Sequence, residues 1–288
     1  MKELIKSIKK NKINLHGKTV AISGSTGGLG REICFYLSKM GASIIMLDRS
    51  RERAEALQGE LLEKFPDLCI RHVKLDLEDV ENVKAVAQLL EDEGIDYLIL
   101  NAGAYAIPRH KCSSGYDNVF TINFVSPYYL VRTLLPTVRE RGGKIVAVGS
   151  IAHRYSKIDE NDIDFSTRER ASLVYGNAKR HLMFSLFAFD GVSVTHPGIT
   201  QTNITAHYPK LIYAIIKYPM KVIFMRPRKA CLSTLCGLFA ECEENEWIGP
   251  RIFDIWGLPK RSKLYSCSES EIALIRKRAE KIYSDLSR

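Results

Sequence analysis

Short β-branched and aliphatic runs recur along the chain, each closing on small or polar residues and each followed by a stretch with helical spacing. Lys18–Gly24 is the first run, and Ile33, Leu37 and Met40 repeat behind it on one helical face until Gly41 stops the pattern. Ser43–Leu47 and Ile70–Leu75 follow as strands, then a helix over Val80–Glu91 and a strand over Tyr97–Leu100. A long helical region spans Tyr116–Arg141, with strands at Lys144–Val148 and Val192–Thr195 on either side of a helix that carries Tyr175. Alternation of this kind predicts an α/β fold, a doubly wound parallel sheet flanked by helices. In such a sheet, ligands bind beyond the carboxyl ends of the strands.

The residues at those ends carry the candidate chemistry. The first strand runs into Ser25-Thr26-Gly27-Gly28-Leu29-Gly30 and then directly into a helix. Glycines there let a backbone approach a pyrophosphate, and a helix N-terminus points free N–H groups at it. The spacing reads either as Gly24, Gly28, Gly30 or as Gly24, Gly27, Gly30. Asp48 and Arg49 close the second strand, where a dinucleotide fold reads its ribose. The carboxylate would accept from ribose hydroxyls and repel a 2′-phosphate, whereas Arg49 would pair with one, so NAD(H) is favoured and NADP(H) is the alternative. Asn101-Ala102-Gly103 ends the fourth strand with small residues that let a flat group lie on the backbone. Tyr175 and Lys179, four apart, share one helix face. A fixed ammonium there would lower the phenol from its ordinary value of about 10 and suit it to proton exchange between an alcohol and a carbonyl.

Composition adds little beyond globularity: 288 residues, 45% hydrophobic and 26% charged, are enough for one full core. Seven cysteines without CxxC spacing read as reduced thiols in a cytoplasmic protein, with no metal expected. Charge changes the picture more. The net +9 is confined to the ends, since residues 1–18 and 259–288 contribute +5 and +4 and the body is neutral. That pattern argues against a nucleic-acid groove and fits solvated tails or attraction to anionic surfaces. Leu4, Ile5 and Ile8 among lysines form a short amphipathic helix that either caps the domain or touches a membrane, and no apolar leader is present in it.

Together these motifs make the chain similar to the short-chain dehydrogenase/reductase family, over about residues 15–260, and most similar to its retinol-dehydrogenase-like members. Gly24, Gly28 and Gly30 match the family's TGxxxGxG loop with Ser23 in the threonine position, and Asn101, Ala102 and Gly103 match its NAG motif. The resemblance implies a Rossmann-type single domain and a cofactor site of Gly24, Ser25, Thr26, Gly28, Leu29, Gly30, Asp48, Arg49, Asp76, Leu77, Asn101, Ala102, Gly103, Tyr175, Lys179, Pro197, Gly198, Ile199 and Thr202. It implies a catalytic set of Ser150, Tyr175, Lys179 and Asn123, with Asn123 holding a water that links Lys179 to solvent. The implied activity is NAD(P)-dependent interconversion of an alcohol and its ketone or aldehyde on a small apolar substrate.

The expected organisation is a basic extension over 1–14, the nucleotide-binding domain over 15–260 with a substrate lid at about 203–228, and a basic helical extension over 261–288. The helical pattern in the last segment rests on Ile272, Leu274, Ile275 and Ile282. Family members commonly pair through the helix after the tyrosine, which implies a homodimer, although only 18 positions separate Lys179 from Pro197 here. Peripheral membrane contact is the second reading of the apolar lid. A catalytically idle nucleotide-binding sensor or scaffold is the alternative function.

Overall fold

The structure, a computed structural model, describes residues 1–200 and 224–288. Thr202 and most of the expected lid lie outside the described residues. Eight strands form one sheet in the order β3-β2-β1-β4-β5-β6-β7-β8. The first six are β1 (Thr19–Ser23), β2 (Ser43–Asp48), β3 (Ile70–Lys74), β4 (Tyr97–Leu100), β5 (Lys144–Val148) and β6 (Val192–Thr195). All six are parallel, in registers such as Ile22↔Met46 and Ile22↔Ile99. The strand order reverses between β1 and β4, which opens a crevice over their carboxyl ends.

Strands β1, β2, β4, β5 and β6 are buried along nearly their whole length, so their residues alternate between two cores. On β1, Ala21 faces one apolar cluster while Val20 and Ile22 face the other. The first cluster takes in α4 (Val80–Glu93), α6 (Ser126–Glu140), α7 (Ala171–Leu186) and the C-terminal α9 (Glu269–Leu286). The second takes in α1 (Lys2–Lys9), α2 (Gly28–Lys39), α3 (Arg51–Lys64) and α8 (Pro227–Gly237). Ile5 and Ile8 of α1 are buried in it, so the amphipathic N-terminal helix caps the domain with its apolar face. Cys231 and Cys236 are buried along α8.

The long helical region expected before β5 is broken into a single turn α5 (Asn118–Phe120), a π-helical turn (Thr121–Val125) and then α6. The widened turn holds Asn123 at its centre, fully buried. At the far edge β7 (Glu246–Ile252) adds in parallel to β6, and β8 (Trp256–Lys263) returns antiparallel to it. The boundary expected at 260/261 therefore falls inside β8, and Ile275, Ala279 and Ile282 of α9 are core residues.

Three buried histidines set the acid limit of this fold. Burial pushes His153 and His181 down to about 4 and His196 to about 3. The unfolded chain binds these protons near the ordinary value of 6.5 and the folded chain does not. Stability is thus complete above that value and lost as pH falls toward 4. Thermal melting followed from pH 7 downward is expected to show a falling midpoint in this window, as the extra protons taken up on unfolding require.

Candidate active site

The carboxyl ends of β1 to β6 border one open cleft with a volume of 1510 Å³. Two glycines are required on steric grounds. A Cβ on Gly30 would lie 2.1 Å from the Gly24 carbonyl oxygen, and one on Gly24, at φ +68°, would lie 2.9 Å from Ala102 Cα. Gly28 differs, since a Cβ there would meet only Pro227 at 3.8 Å, and it borders the cleft. The N-cap of α2, Gly27, makes no side-chain hydrogen bond, so the first-turn N–H groups face the cleft without a capping partner.

Side chains tie this loop to its neighbours. Ser23 Oγ accepts from the Asn101 and Ala102 amides at 3.1 Å, a task a hydroxyl of either serine or threonine can perform. The Asn101 amide donates to the Ser23 and Gly24 carbonyls at 3.2 and 2.9 Å. Asp48, almost fully buried, accepts from Ser25 Oγ at 2.5 Å and from Thr26 N and Oγ1 at 3.2 and 3.0 Å. Ser25 is buried behind the loop and does not border the cleft, while Thr26, Leu29, Asp48, Arg49, Asp76 and Leu77 do. Arg49 is largely exposed, 3.8 Å from Glu78. Asp76, which borders the cleft, accepts from Glu78 N at 3.1 Å through Oδ1.

The catalytic candidates sit at the opposite end. Ser150 caps the 3-10 turn Ile151–Tyr155 by accepting from Ala152 N at 3.2 Å, and it stands near enough to Tyr175 to pull that phenol's pKa down. Lys179 Nζ donates to the Val148 carbonyl at 2.8 Å and lies 5.7 Å from the Tyr175 ring centre. Pro197, Gly198 and Ile199 line the cleft beside them. Asn123 does not border it: Oδ1 accepts from Ala104 N at 3.3 Å, and Nδ2 donates to the Ala104 and Val119 carbonyls at 2.8 Å. Its side-chain amide thereby holds the turn after β4. A Cβ on Gly103 would fall 2.8 Å from Asn123 Oδ1 and 3.6 Å from Lys179 Nζ, so the three remain neighbours.

The electrostatics correct one expectation. Burial pushes the Tyr175 phenol up to about 12, against the Ser150 hydrogen bond, which pulls it down, and the ring of Tyr105, 5.4 Å away edge-on, adds to the rise. The same burial lowers Lys179 from 10.5 to about 8. Desolvation outweighs the attraction expected between the two groups. The folded chain binds the Lys179 proton less tightly than the unfolded chain, so this lysine destabilises the fold at neutral pH, and the penalty fades as pH rises from 8 through 10.5. Lys179→Met is expected to stabilise the protein at pH 7 by roughly 1–3 kcal/mol in denaturant titration while removing activity, with the gain shrinking toward pH 10.

Four residues that shape the site gave no sequence reading. Gly176 is one: a Cβ there would lie 2.4 Å from the Ala152 carbonyl oxygen, so only glycine lets α7 approach the serine turn. Tyr105 packs on Tyr175. His153 Nδ1 hydrogen-bonds the Ser150 carbonyl at 2.6 Å. Arg180, buried, donates to the His153 and Ser266 carbonyls and to both Glu271 oxygens, which fastens α9 to the same turn. A glycine inside a helical pattern was the one available signal.

A set of metal-type donors also stands at the cleft rim, where Glu78, His110 and Cys112 place ligand atoms within 4.8 Å of one another. The Asn118 amide, oriented by Pro108 O at 3.0 Å, faces His110 Nδ1 at 3.1 Å. That leaves the ring proton on Nε2, directed at Glu78 2.9 Å away, and the group reads as a hydrogen-bonded pair with a neighbouring thiol.

This constellation defines a nucleotide-binding oxidoreductase of the doubly wound class. The family model for short chain dehydrogenase matches residues 18–160. Retinol dehydrogenase 14 of Mus musculus is 28% identical over 299 residues, covering 91% of this chain and 88% of that protein. Retinol dehydrogenase 12 of Homo sapiens is 25% identical, covering 84% and 83%. An uncharacterized protein from Mycobacterium Paratuberculosis superposes with a TM-score of 0.73 at 21% identity over 94% of this chain and 95% of that one. L-Sorbose reductase from Gluconobacter frateurii, complexed with NADPH and L-sorbose, gives 0.59 at 22% identity over 79% and 92%. The chain belongs to the short-chain dehydrogenase/reductase family and is similar to its retinol-dehydrogenase-like members.

Proposed function

We propose that the protein interconverts an alcohol and its aldehyde or ketone on an apolar substrate, with a nicotinamide nucleotide as hydride partner and Ser150, Tyr175 and Lys179 as the reacting set. The convergence of Ser150, Tyr175 and Lys179 at one end of a cleft whose other end is the Gly24–Gly30 loop supports this reading above all others. The cleft fits a dinucleotide: the loop excludes side chains where backbone must approach, and the N-terminus of α2 is uncapped. Thr26, Gly28, Leu29, Asp48, Asp76, Leu77, Asn101, Ala102, Gly103, Lys179 and Pro197–Ile199 would hold it. When bound, the nicotinamide supplies or takes up a hydride.

Ser150 Oγ holds the substrate oxygen by a hydrogen bond, and Tyr175 Oη gives that oxygen a proton in reduction or takes one in oxidation. Burial keeps the phenol protonated across the neutral range, the form that reduction uses. Lys179, charged below about 8, stabilises the phenolate that remains after the transfer. Asn123 keeps the turn beside them in place through Ala104. Tyr105, Ile107, Ile151, Tyr155, Ile199 and Phe224 border the same end and favour an apolar substrate, in line with the retinol-dehydrogenase names of the relatives. Consumption of reduced nicotinamide with a panel of long-chain and ring-bearing aldehydes tests the reading. Turnover that rises with substrate apolarity supports it, and no turnover with any carbonyl while the nucleotide binds leaves the idle-sensor alternative.

Asp48 places a buried carboxylate at the ribose end, so NAD(H) is the favoured cofactor, although NADPH occupies two of the structural neighbours. Asp48→Ala is expected to shift the NADPH-to-NADH affinity ratio by about tenfold toward NADPH in fluorescence titration. An unchanged ratio assigns the choice to Arg49.

A further inference from the structure

We propose that the tip of the β7–β8 hairpin is a membrane-docking surface that inserts aromatic side chains into anionic lipid bilayers. Among the described residues, seven large hydrophobic side chains are exposed, and four of them, Ile252, Phe253, Trp256 and Leu258, belong to this one hairpin. Phe253 is 85% exposed. The tip is held rigidly: Ile255 N donates to the Ile252 carbonyl at 2.9 Å, closing a tight turn whose central residues Phe253 and Asp254 both have positive φ, at +51° and +58°. Turns of this kind favour Asn-Gly, and a phenylalanine in the left-handed region is strained. An apolar ring displayed into solvent at such a position is unexplained by packing and points to a ligand outside the chain.

The chemistry around the ring selects the partner. Trp256 and Leu258 alternate outward along the edge strand β8 and lead to exposed Lys260. Lys229 Nζ lies 3.7 Å from the Trp256 ring centre, and exposed Arg251 precedes the tip. Asp254, the acid at the tip, is neutralised by Arg154 at 2.8 Å. Aromatic residues with a basic collar and no free acid match the headgroup level of a negatively charged bilayer, where rings sit at the interface and cations meet phosphates. The hairpin also stands at the apolar end of the cleft, since Ile255 O accepts from Ile199 N at 3.3 Å and Arg154 adjoins Tyr155. Docking there sets the substrate end of the cleft against the lipid. The proposal does not depend on the hydride-transfer chemistry.

The chain carries its own probe, because its two tryptophans are Trp247, fully buried, and Trp256, at the tip. The purified full chain is mixed with phosphatidylcholine vesicles with and without phosphatidylserine, and both co-sedimentation and tryptophan emission are followed. The expected result is binding that requires phosphatidylserine, weakens with salt, and shifts emission to the blue, with the shift absent in Trp256→Phe. Phe253→Ser, a surface change that leaves the melting temperature in place, is expected to weaken binding about tenfold. Failure of the wild-type chain to sediment overturns the proposal. Binding without an emission shift and unaltered by Phe253→Ser overturns it too, and assigns lipid contact to the basic termini. A change of oligomeric state in Phe253→Ser without any vesicle binding makes the tip a contact between copies of the chain.

Discussion

Tyr175→Phe is expected to lower kcat by roughly 10³-fold or more while nucleotide affinity stays within about twofold of the wild type. The substitution removes one oxygen from a helix whose packing does not depend on it: Ala178, Leu182, Met183 and Phe184 anchor α7 in the core. Ser150 keeps its cap on its own turn through Ala152 N. Steady-state kinetics beside a fluorescence titration separate the two effects. Turnover retained within tenfold would show that the exchanged proton travels through another group, with Tyr105, edge-on to Tyr175, next in reach.

The second large effect concerns the loop rather than the chemistry. Gly30→Ala places a methyl 2.1 Å from the Gly24 carbonyl oxygen and 2.8 Å from Ser25 Cα, both backbone atoms that no rotamer change can move. The loop must open, and with it the Asp48 bonds to Ser25 and Thr26. A destabilisation of about 3 kcal/mol is expected from denaturant midpoints, with loss of nucleotide binding. Gly28→Ala is the matched control. Its methyl meets only ordinary contact at 3.8 Å, so stability is expected to hold while nucleotide binding in the cleft that Gly28 borders weakens. Equal loss of stability in both variants would contradict the steric account of the loop.

Much of this site was legible in the sequence because a parallel sheet writes its functional residues in a fixed place. Buried strands need continuous apolar runs, and whatever polar or small residue ends a run faces the crevice. Gly24, Asp48 and Asn101 were found that way, Ser150 and Pro197 through the family resemblance, and the structure brings all five to one cleft. The edge hairpin was not found. Gly249 and Pro250 interrupt β7, Gly257 and Pro259 interrupt β8, and each reads as a turn. They are tolerated because β7 pairs with β6 over only Trp247 and Ile248, and the two prolines face each other across the hairpin at an irregular register.

What depended on burial was also out of reach. The spacing of Tyr175 and Lys179 gives their common face but not the desolvation that drives their pKa values apart from the expected direction. The Arg180 link to Glu271 joins residues 91 apart in sequence, and no local pattern announces it. Asn123 stands among apolar residues in the chain, yet which groups satisfy its amide follows from the turn after β4, folded against it. The lid expectation at 203–228 meets the structure only at its end, where Pro227 begins α8.

On the function proposed above, hydride passes directly between nicotinamide and a substrate carbonyl held by Ser150 and Tyr175. The most direct test supplies the enzyme with reduced nicotinamide nucleotide deuterated at C4 and an apolar aldehyde, and locates the label in the product by mass spectrometry. One deuterium is expected on the carbinol carbon of the alcohol, and none in the same assay with Tyr175→Phe. Alcohol formed without label, or no alcohol from any apolar carbonyl by a chain that binds the nucleotide, would contradict it.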